Sequence, residues 1–519
     1  MRSKASPAIK GSVMSDVAIV GKKGFLSAVE RIGNRMPHPL GIFLGIIALV
    51  LLASAILSWA GVTATHPQSG EVIRVHNMLT LDSILTWMSK LSVNLQNFPV
   101  LAIVIVMAAA TGIAEQVGFF TVAIKHSLRG VRGIYVVFAV ACIAAVGNIA
   151  GDVSFAIVPA LSASVFLGMG RHPLVGLFLG YAVVGGSFGV SVIPGSFDAI
   201  LTPISIQSAH LVDVNFDMNI LNGYYLLATS TVVVAVIATF VTVVFVEPRF
   251  GKYEGELAAP TDIEVTDVER RALRRSYLSV GLFLLAIIVA AIPQNSFLRS
   301  PTGSLVIDAP LMRLVFPILL IVFSLAGTVF GVGTGKIRNL RDMVHLMTEA
   351  VKTIAPFIVI AIVVSQFLYL FNESNLGAVM AIRGGQALTH LAVPVVVVLV
   401  LFFLLEAIAD MFIISGSARY LIFAPVFVPM MMQLGIHPAL TQAIHRMGGS
   451  VANPLTPLNA FFPVLLGLAQ KYDRNVGMGT IFSAIIPYSI AYSIGYLVLI
   501  IVWYFLDLPV GFGTPISYP

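Results

Sequence analysis

The sequence is short of charge and nearly free of cysteine. Asp, Glu, Lys and Arg make up only 10% of its 519 residues, against about a quarter in soluble domains, which argues against an ordinary water-soluble globular chain. The lone Cys142 excludes an internal disulfide and any thiolate metal cluster. No HExxH occurs, so a metalloprotease of that type is excluded. The opening MRSKASPAIKGSVMSDVAIVGKKG has no apolar core ahead of a small-residue cleavage site and reads as a tail, not a cleavable signal peptide.

What the chain has in abundance is apolar sequence: 58% hydrophobic residues and a mean hydropathy of +0.96. Windows such as 41–61 and 314–331 have the length of about 20 residues that crosses a bilayer core. The fold class expected is an all-α polytopic membrane protein. Basic residues collect in cytoplasmic loops, and the seven in 1–38 set the N-terminus inside. Nine spans follow, at 39–61, 99–117, 173–206, 223–246, 276–293, 310–331, 353–371, 438–470 and 478–506. Two pairs of shorter legs, 133–147 with 152–169 and 392–413 with 416–434, leave and return to the same side. This arrangement puts 23 of the 30 basic residues inside and four outside. The net charge of +6 then reflects sorting across the membrane and calls for no nucleic-acid partner. Two full crossings would give the same sidedness, but the short tips GNIAGD (147–152) and ISGSAR (414–419) favour re-entrant hairpins.

Six regions result: a cytoplasmic tail 1–38, a first span and outer loop 39–98, a repeat 99–246, cytoplasmic loops and scaffold spans 247–352, a second repeat 353–506, and an outer tail 507–519. Each repeat runs span, hairpin, broken span, span, and the two start from opposite sides. The breaks are GGSFGVSVIPGSFDA (185–199) and GGSVANPLTPLNA (448–460). Inverted repeats with paired glycine/proline breaks mark secondary transporters. A break frees backbone groups that lipid cannot satisfy, so it belongs where it lines an enclosed polar cavity. Half-helix N-termini there attract an anion, and carbonyls and hydroxyls can ligate a cation. Ser187, Ser191, Ser196, Ser450, Asn453 and Thr456 supply side-chain oxygens, with Asn148 and Asp152 at the first hairpin tip. A single break could be a kink that lets helices pack closely. Two inverted ones, each behind a polar tip, read as a site.

Ionisable residues inside apolar sequence each need a partner or a function. Glu115 lies near a span end and snorkels to the interface; Arg419, near a hairpin tip, could equally reach water. Glu406 and Asp410 are four apart, share a helix face and would repel if both ionised, which favours keeping a proton on one and suits a proton carrier. The alternative is a structural ion pair of Asp410 with Arg446 or Arg419. Asp198 and Arg446 flank the two breaks.

VERIGNRMPHPLGIF (29–43), GRHPLVGL (170–177), SGSAR, APVFVPMMM, HRMGGSV, KYDRNVGMGTIFSAIIPYS and the closing LPVGFGTPISYP resemble the p-aminobenzoyl-glutamate transporter (AbgT) family over nearly the whole chain. The resemblance implies a bowl-shaped homodimer, each protomer with nine spans and two opposed re-entrant hairpins, in a bacterial inner membrane. It also implies transport by an elevator-like shift driven by a proton or sodium gradient, with no other cofactor. Uptake of p-aminobenzoyl-glutamate or export of sulfonamide antimetabolites is the associated activity. The family's site positions match Asp198, Arg446, Ser417 and Pro457, whereas its tryptophan, asparagine and aspartate stand here as Tyr420, Asp410 and Gly449. Glu406 and Arg419 take positions that are uncharged in the family pattern.

The reading that follows is a carrier of an organic anion. Arg446 and the half-helix termini hold a carboxylate, Asp198, Asp410, Asn453, Ser417, Tyr420 and Pro457 contribute to the substrate site, and Asn148, Asp152, Ser187, Asp198, Ser450 and Thr456 serve the coupling ion. A dicarboxylate or small-peptide carrier on the same fold is the nearest alternative. A hydrolase using Ser415 or Ser417 with His445 lacks any spacing that defines a dyad, and a passive channel lacks repeated polar rings.

Overall fold

A computed structural model describes residues 39–65, 72–128, 135–151, 153–251, 253, 265–306, 309–390, 393–456, 459 and 461–519. The tail 1–38, Asp152 and Pro457 lie outside the described residues. Helix α1 (Pro39–Trp59) leads to an antiparallel pair of strands, β1 (Thr63–Thr65) and β2 (Val72–Arg74), in the register Thr63 opposite Arg74. Two short helices follow, α2 (Leu81–Ser89), capped by the Thr80 hydroxyl, and α3 (Leu91–Gln96). The stretch expected as a plain outer loop is therefore partly folded.

The first repeat opens with α4 (Pro99–Gln116), which turns by 56° into α5 (Phe119–Leu128). A hairpin of α6 (Val136–Gly147) and α7 (Val153–Gly168) follows, then α8 (Pro173–Gly186) and α9 (Ser196–Ala209) on either side of the first break. Helix α10 (Tyr224–Val241) continues through a π turn, Thr242–Val246, into α11 (Glu247–Phe250). Between the repeats stand α12 (Asp267–Ala291), α13 (Pro310–Gly333) and α14 (Leu340–Thr353). The second repeat holds α15 (Ala355–Glu373), α16 (Leu376–His390), the hairpin α17 (Val395–Asp410) and α18 (Gly416–Gln433), then α19 (Pro438–Ala452), α20 (Phe462–Tyr472) and α21 (Met478–Phe505).

Among the described residues five helices are long and apolar enough to cross a membrane, or up to seven when each of two bent helix pairs counts as one span. The hairpin legs are shorter: α6 has 12 residues and α7 has 16, below the roughly 20 needed to cross.

The local chemistry of the two repeats matches closely at one point. Both broken helices open with His–Pro. His172 and His437 are the N-caps, and Nδ1 of each accepts a hydrogen bond from the second helical N–H, Leu174 at 3.3 Å and Ala439 at 3.1 Å. Proline fits the first helical position because its missing N–H would be unpaired there anyway. Every residue of α8 and α19 is buried, whereas the most apolar windows of α1 and α12 are only 22% and 17% buried. The interrupted helices thus lie in the interior, and α1 and α12 lie toward the rim. That order follows from cost, since a break facing lipid would leave its backbone polar groups unsatisfied.

Protein groups satisfy the first break. Asn148 Nδ2 donates to Ser187 O (2.5 Å), Tyr496 Oη donates to Gly186 O (2.7 Å), and Arg446 Nε donates to Gly189 O (2.5 Å). Gly189 N–H donates to Ser450 Oγ (2.8 Å) and Gly195 N–H to Asp198 Oδ2 (2.8 Å). Two of these partners, Arg446 and Ser450, come from the other broken helix, α19. Gly189 permits that approach, because a Cβ there would collide with the Arg446 carbonyl and lie 2.8 Å from Ser450 Oγ.

At the end of α8 a Cβ on Gly186 would enter the ring of Tyr492 on α21. We expect Gly186→Leu to cost about 1–3 kcal/mol through overpacking, read as a lower unfolding temperature of the purified protein, and to stop transport. An unchanged unfolding temperature would mean that α8 and α21 do not meet there.

Candidate functional site

Both hairpin tips and both breaks meet around one cavity of about 610 Å³. The first tip contributes Asn148 and Gly151, the first break Phe188, Ser191, Gly195, Ser196, Phe197 and Asp198. The second tip contributes Ser415, Gly416 and Ser417, and the second broken span Arg446, Asn453, Asn459 and Phe461. The volume is in the range of small-molecule sites, roughly 300–1,000 Å³.

The cavity's charge is a cross-repeat ion pair. Arg446 Nη1 donates to Asp198 Oδ1 at 2.5 Å, with both residues buried. Asp198 sits in the first turn of α9 and also receives the Gly195 N–H, so one carboxylate closes the helix end and anchors the arginine. Negative charge is favoured there because the aligned peptide dipoles put partial positive charge at a helix N-terminus. Arg446 lies 5.3 Å from the Phe197 ring centroid, within cation–π range. Its bonds use Nε to Gly189 O and Nη1 to Asp198, and the residue lines the cavity.

One wall is aromatic. Phe155 stacks on Phe461 with centroids 5.5 Å apart and planes 9° from parallel, and Phe188 lies 5.6 Å from Phe155 and 6.3 Å from Phe197. Sequence reasoning followed the oxygens and charges and missed these rings and Asn459. The signal was present, since Phe188 and Phe197 lie inside the glycine-rich break itself and Phe461 follows the second. Asn459 Nδ2 donates to Asn453 Oδ1 (3.2 Å), which fixes both amides beside the cavity.

Of the candidate residues, Asn148, Ser191, Ser196, Asp198, Ser417, Arg446 and Asn453 line the cavity. Ser187, Ser450 and Thr456 do not; their hydroxyls donate to backbone carbonyls of Val183 (2.6 Å), Arg446 (2.7 Å) and Met411 (3.1 Å), respectively. Tyr420 is fully buried away from it, its ring 4.4 Å from His445 and its hydroxyl 2.6 Å from Ser205 Oγ. Ser205 also donates to Gln442 Oε1 (2.7 Å), which knots α9, α18 and α19 together.

Asp410 faces Arg419. Arg419 bonds Glu406 through Nε (2.8 Å) and Asp410 through Nη1, and it is 2% exposed, so it does not reach water. Of the two ion pairs open to Asp410, Arg419 is the partner. Glu115 is half-buried. Among the described residues His445 makes no hydrogen bond with Ser415 or Ser417; its Nδ1 lies 2.8 Å from Glu406 Oε1, and Ser415 Oγ caps α18 at Ala418 N–H (3.3 Å). Also among the described residues, no three His, Cys, Asp or Glu side chains gather as a metal site.

Interrupted helices that face each other across a polar chamber are the construction of a membrane solute carrier. A family model described as "AbgT putative transporter family" matches residues 24–518, and the chain belongs to that family. It is similar to the p-aminobenzoyl-glutamate transport protein of Escherichia coli strain K12, with 32% identity over 501 residues, 96% of this chain and 98% of the relative. The crystal structure of the Alcanivorax borkumensis YdaH transporter, described as having an unusual topology, superposes with a TM-score of 0.85 at 32% identity, covering 92% of this chain and 100% of that one. Neisseria gonorrhoeae MtrF, described as illuminating a class of antimetabolite efflux pumps, does so at 0.89 and 29%, covering 96% and 100%. The protein is a multi-pass membrane transporter and not an enzyme, and the hydrolase reading falls with that kinship.

Breaking a buried ion pair by removing one partner costs about 3–5 kcal/mol, because the other charge is left uncompensated. Arg446→Ala and Asp198→Asn should each lower the unfolding temperature, and the double variant should be more stable than their sum. Additive losses would show that the two side chains do not pair.

Proposed function

We propose that this transporter is a secondary active carrier of an aromatic organic anion of the p-aminobenzoyl-glutamate type, coupled to a proton or sodium gradient. The observation that carries the reading is the joining of Arg446, an anion-binding guanidinium, to a wall of four phenylalanines in one 610 Å³ cavity. A carboxylate would displace or bridge the Asp198–Arg446 pair while an aryl group rests on the rings. Asn453, Asn459 and Ser417 would bond an amide linkage. The names of two relatives, a p-aminobenzoyl-glutamate transport protein and an antimetabolite efflux pump, support this chemical class. The aromatic wall favours it over a dicarboxylate or small-peptide carrier.

In this reading the helices form nine spans and two re-entrant hairpins, and the cavity moves across the membrane with the hairpins and broken helices in an elevator-like shift. The N-terminus is cytoplasmic and the C-terminus periplasmic, in a bacterial inner membrane, because that orientation puts the basic loops inside. Two copies form a homodimer. Where the gradient is sodium, the oxygens of Asn148, Ser187, Ser450 and Thr456 would serve the coupling ion, with Asp198 shared between ion and substrate.

The test is uptake of p-aminobenzoyl-glutamate by liposomes containing the full chain. We expect saturable flux that responds to an imposed ion gradient. Phe197→Leu should weaken binding by about 5–10-fold, the loss of one ring contact worth about 1 kcal/mol. Flux linear in concentration and indifferent to any gradient would mean a channel, and no weakening by Phe197→Leu would take the ring out of the site.

A further inference from the structure

Behind the cavity lies a second charged group that the transport reading does not use. Glu406 and Asp410 of α17, Arg419 of α18 and His445 of α19 are all buried, none more than 2% exposed. Arg419 bonds both carboxylates and also donates to Ile413 O (2.9 Å). His445 Nδ1 lies 2.8 Å from Glu406 Oε1, close but not aligned as a hydrogen bond. Asp410 Oδ2 and His445 Nε2, both buried, have no hydrogen-bond partner among the described residues. Gly449 makes room for the group, since a Cβ there would collide with Arg419 Nη2.

Counting charge decides what this group wants. Two carboxylates, one guanidinium and a neutral imidazole sum to −1. An uncompensated charge away from water costs several kcal/mol, and one bound proton brings the sum to zero. The unpartnered oxygen of Asp410 and the imidazole against Glu406 are places for that proton to rest. A void of about 10 Å³, near the volume that one water needs, is lined by Asp410, Arg419 and Gly449 together with Arg446 and Phe197, which also line the large cavity.

Most of the other polar groups near the cluster have partners of their own. Tyr420 of α18 bonds Ser205 and lies tilted against the His445 ring, and Arg446 of α19 pairs with Asp198 of α9. On α21, Tyr488 bonds Thr242 Oγ1 (2.7 Å), whereas the buried Tyr492 hydroxyl has no hydrogen-bond partner among the described residues.

We propose that Glu406, Asp410, Arg419 and His445 form a proton-binding site, separate from the Asp198–Arg446 pair, that takes up the coupling proton when substrate binds. The coupling rests on the transport reading above; the proton site does not. A proton from water in the cavity adds to a carboxylate oxygen or to His445, and no other bond changes. An anion at Arg446 adds negative charge beside the cluster and so strengthens its hold on the proton. By linkage, the proton strengthens anion binding equally.

Two measurements on the full chain in lipid separate the claims. In substrate-free protein, infrared difference spectra across neutral pH should show one titrating carboxyl or imidazole proton per chain. Glu406→Gln should remove it, because the cluster is then neutral without a proton; Asp410→Asn serves the same purpose if the first variant does not fold. Spectra that superimpose on the wild type overturn the proton site, whatever transport does. In liposomes, the ratio of pH-driven uptake to substrate-for-substrate exchange of p-aminobenzoyl-glutamate should fall by about tenfold or more in the same variant, within the usual range of coupling energies. An unchanged ratio overturns the coupling role. Wild-type liposomes without any exchange would instead count against the substrate reading, and the infrared result alone then decides the proton site.

Discussion

A helix interrupted inside a membrane leaves amide and carbonyl groups that no lipid can bond, and this protein is arranged around meeting that demand. The groups freed between Gly186 and Gly195 are taken by Asn148 from a hairpin tip, Tyr496 from α21, and Arg446 and Ser450 from the other broken helix. The first interruption therefore draws its partners from the second broken helix, a hairpin tip and α21. The same contacts that satisfy the backbone bring four separate stretches of sequence to one cavity. Architecture and site are consequences of one constraint.

The buried charges follow a related logic. Asp198 and Arg446 compensate each other across the two repeats and remain accessible to the cavity. Glu406, Asp410, Arg419 and His445 are sealed one layer behind, with one more negative than positive charge when the imidazole is neutral. A pair that faces the cavity can exchange partners with a ligand. A sealed group can change its charge only by moving a proton, so the two clusters are suited to different cargo. Arg446 borders both and is the element through which each would sense the other.

Much of the helical plan was legible because hydrophobic run length and basic-residue sorting are properties of local sequence. The limits of α1, the hairpin legs and the two breaks fell close to where composition put them. Helix α16 and the strands β1 and β2 did not announce themselves, since their stretches carry polar residues at no clean period. The pairing of the His–Pro helix starts was also present in the sequence, but its meaning needed the caps to be seen. Within the site, Asp198, Arg446, Ser417, Asn148 and Asn453 could be picked out as polar residues out of place. Phe155, Phe188, Phe197 and Phe461 carry no such excess cost in apolar sequence, so only their place in or beside the breaks marked Phe188, Phe197 and Phe461.

By itself the sequence determined that the chain lives in a membrane and that two of its apolar stretches carry a glycine- and proline-rich interruption worth explaining. These follow from transfer energies of individual side chains and backbone groups, which need no partner to be reckoned. Only the tertiary structure decided which charge meets which: Arg419 with Glu406 and Asp410, Arg446 with Asp198, His445 with Glu406 and not with the serines. Pairing depends on a separation of a few ångströms between residues up to 248 positions apart, and Coulomb energies in a low-dielectric interior change steeply over that distance.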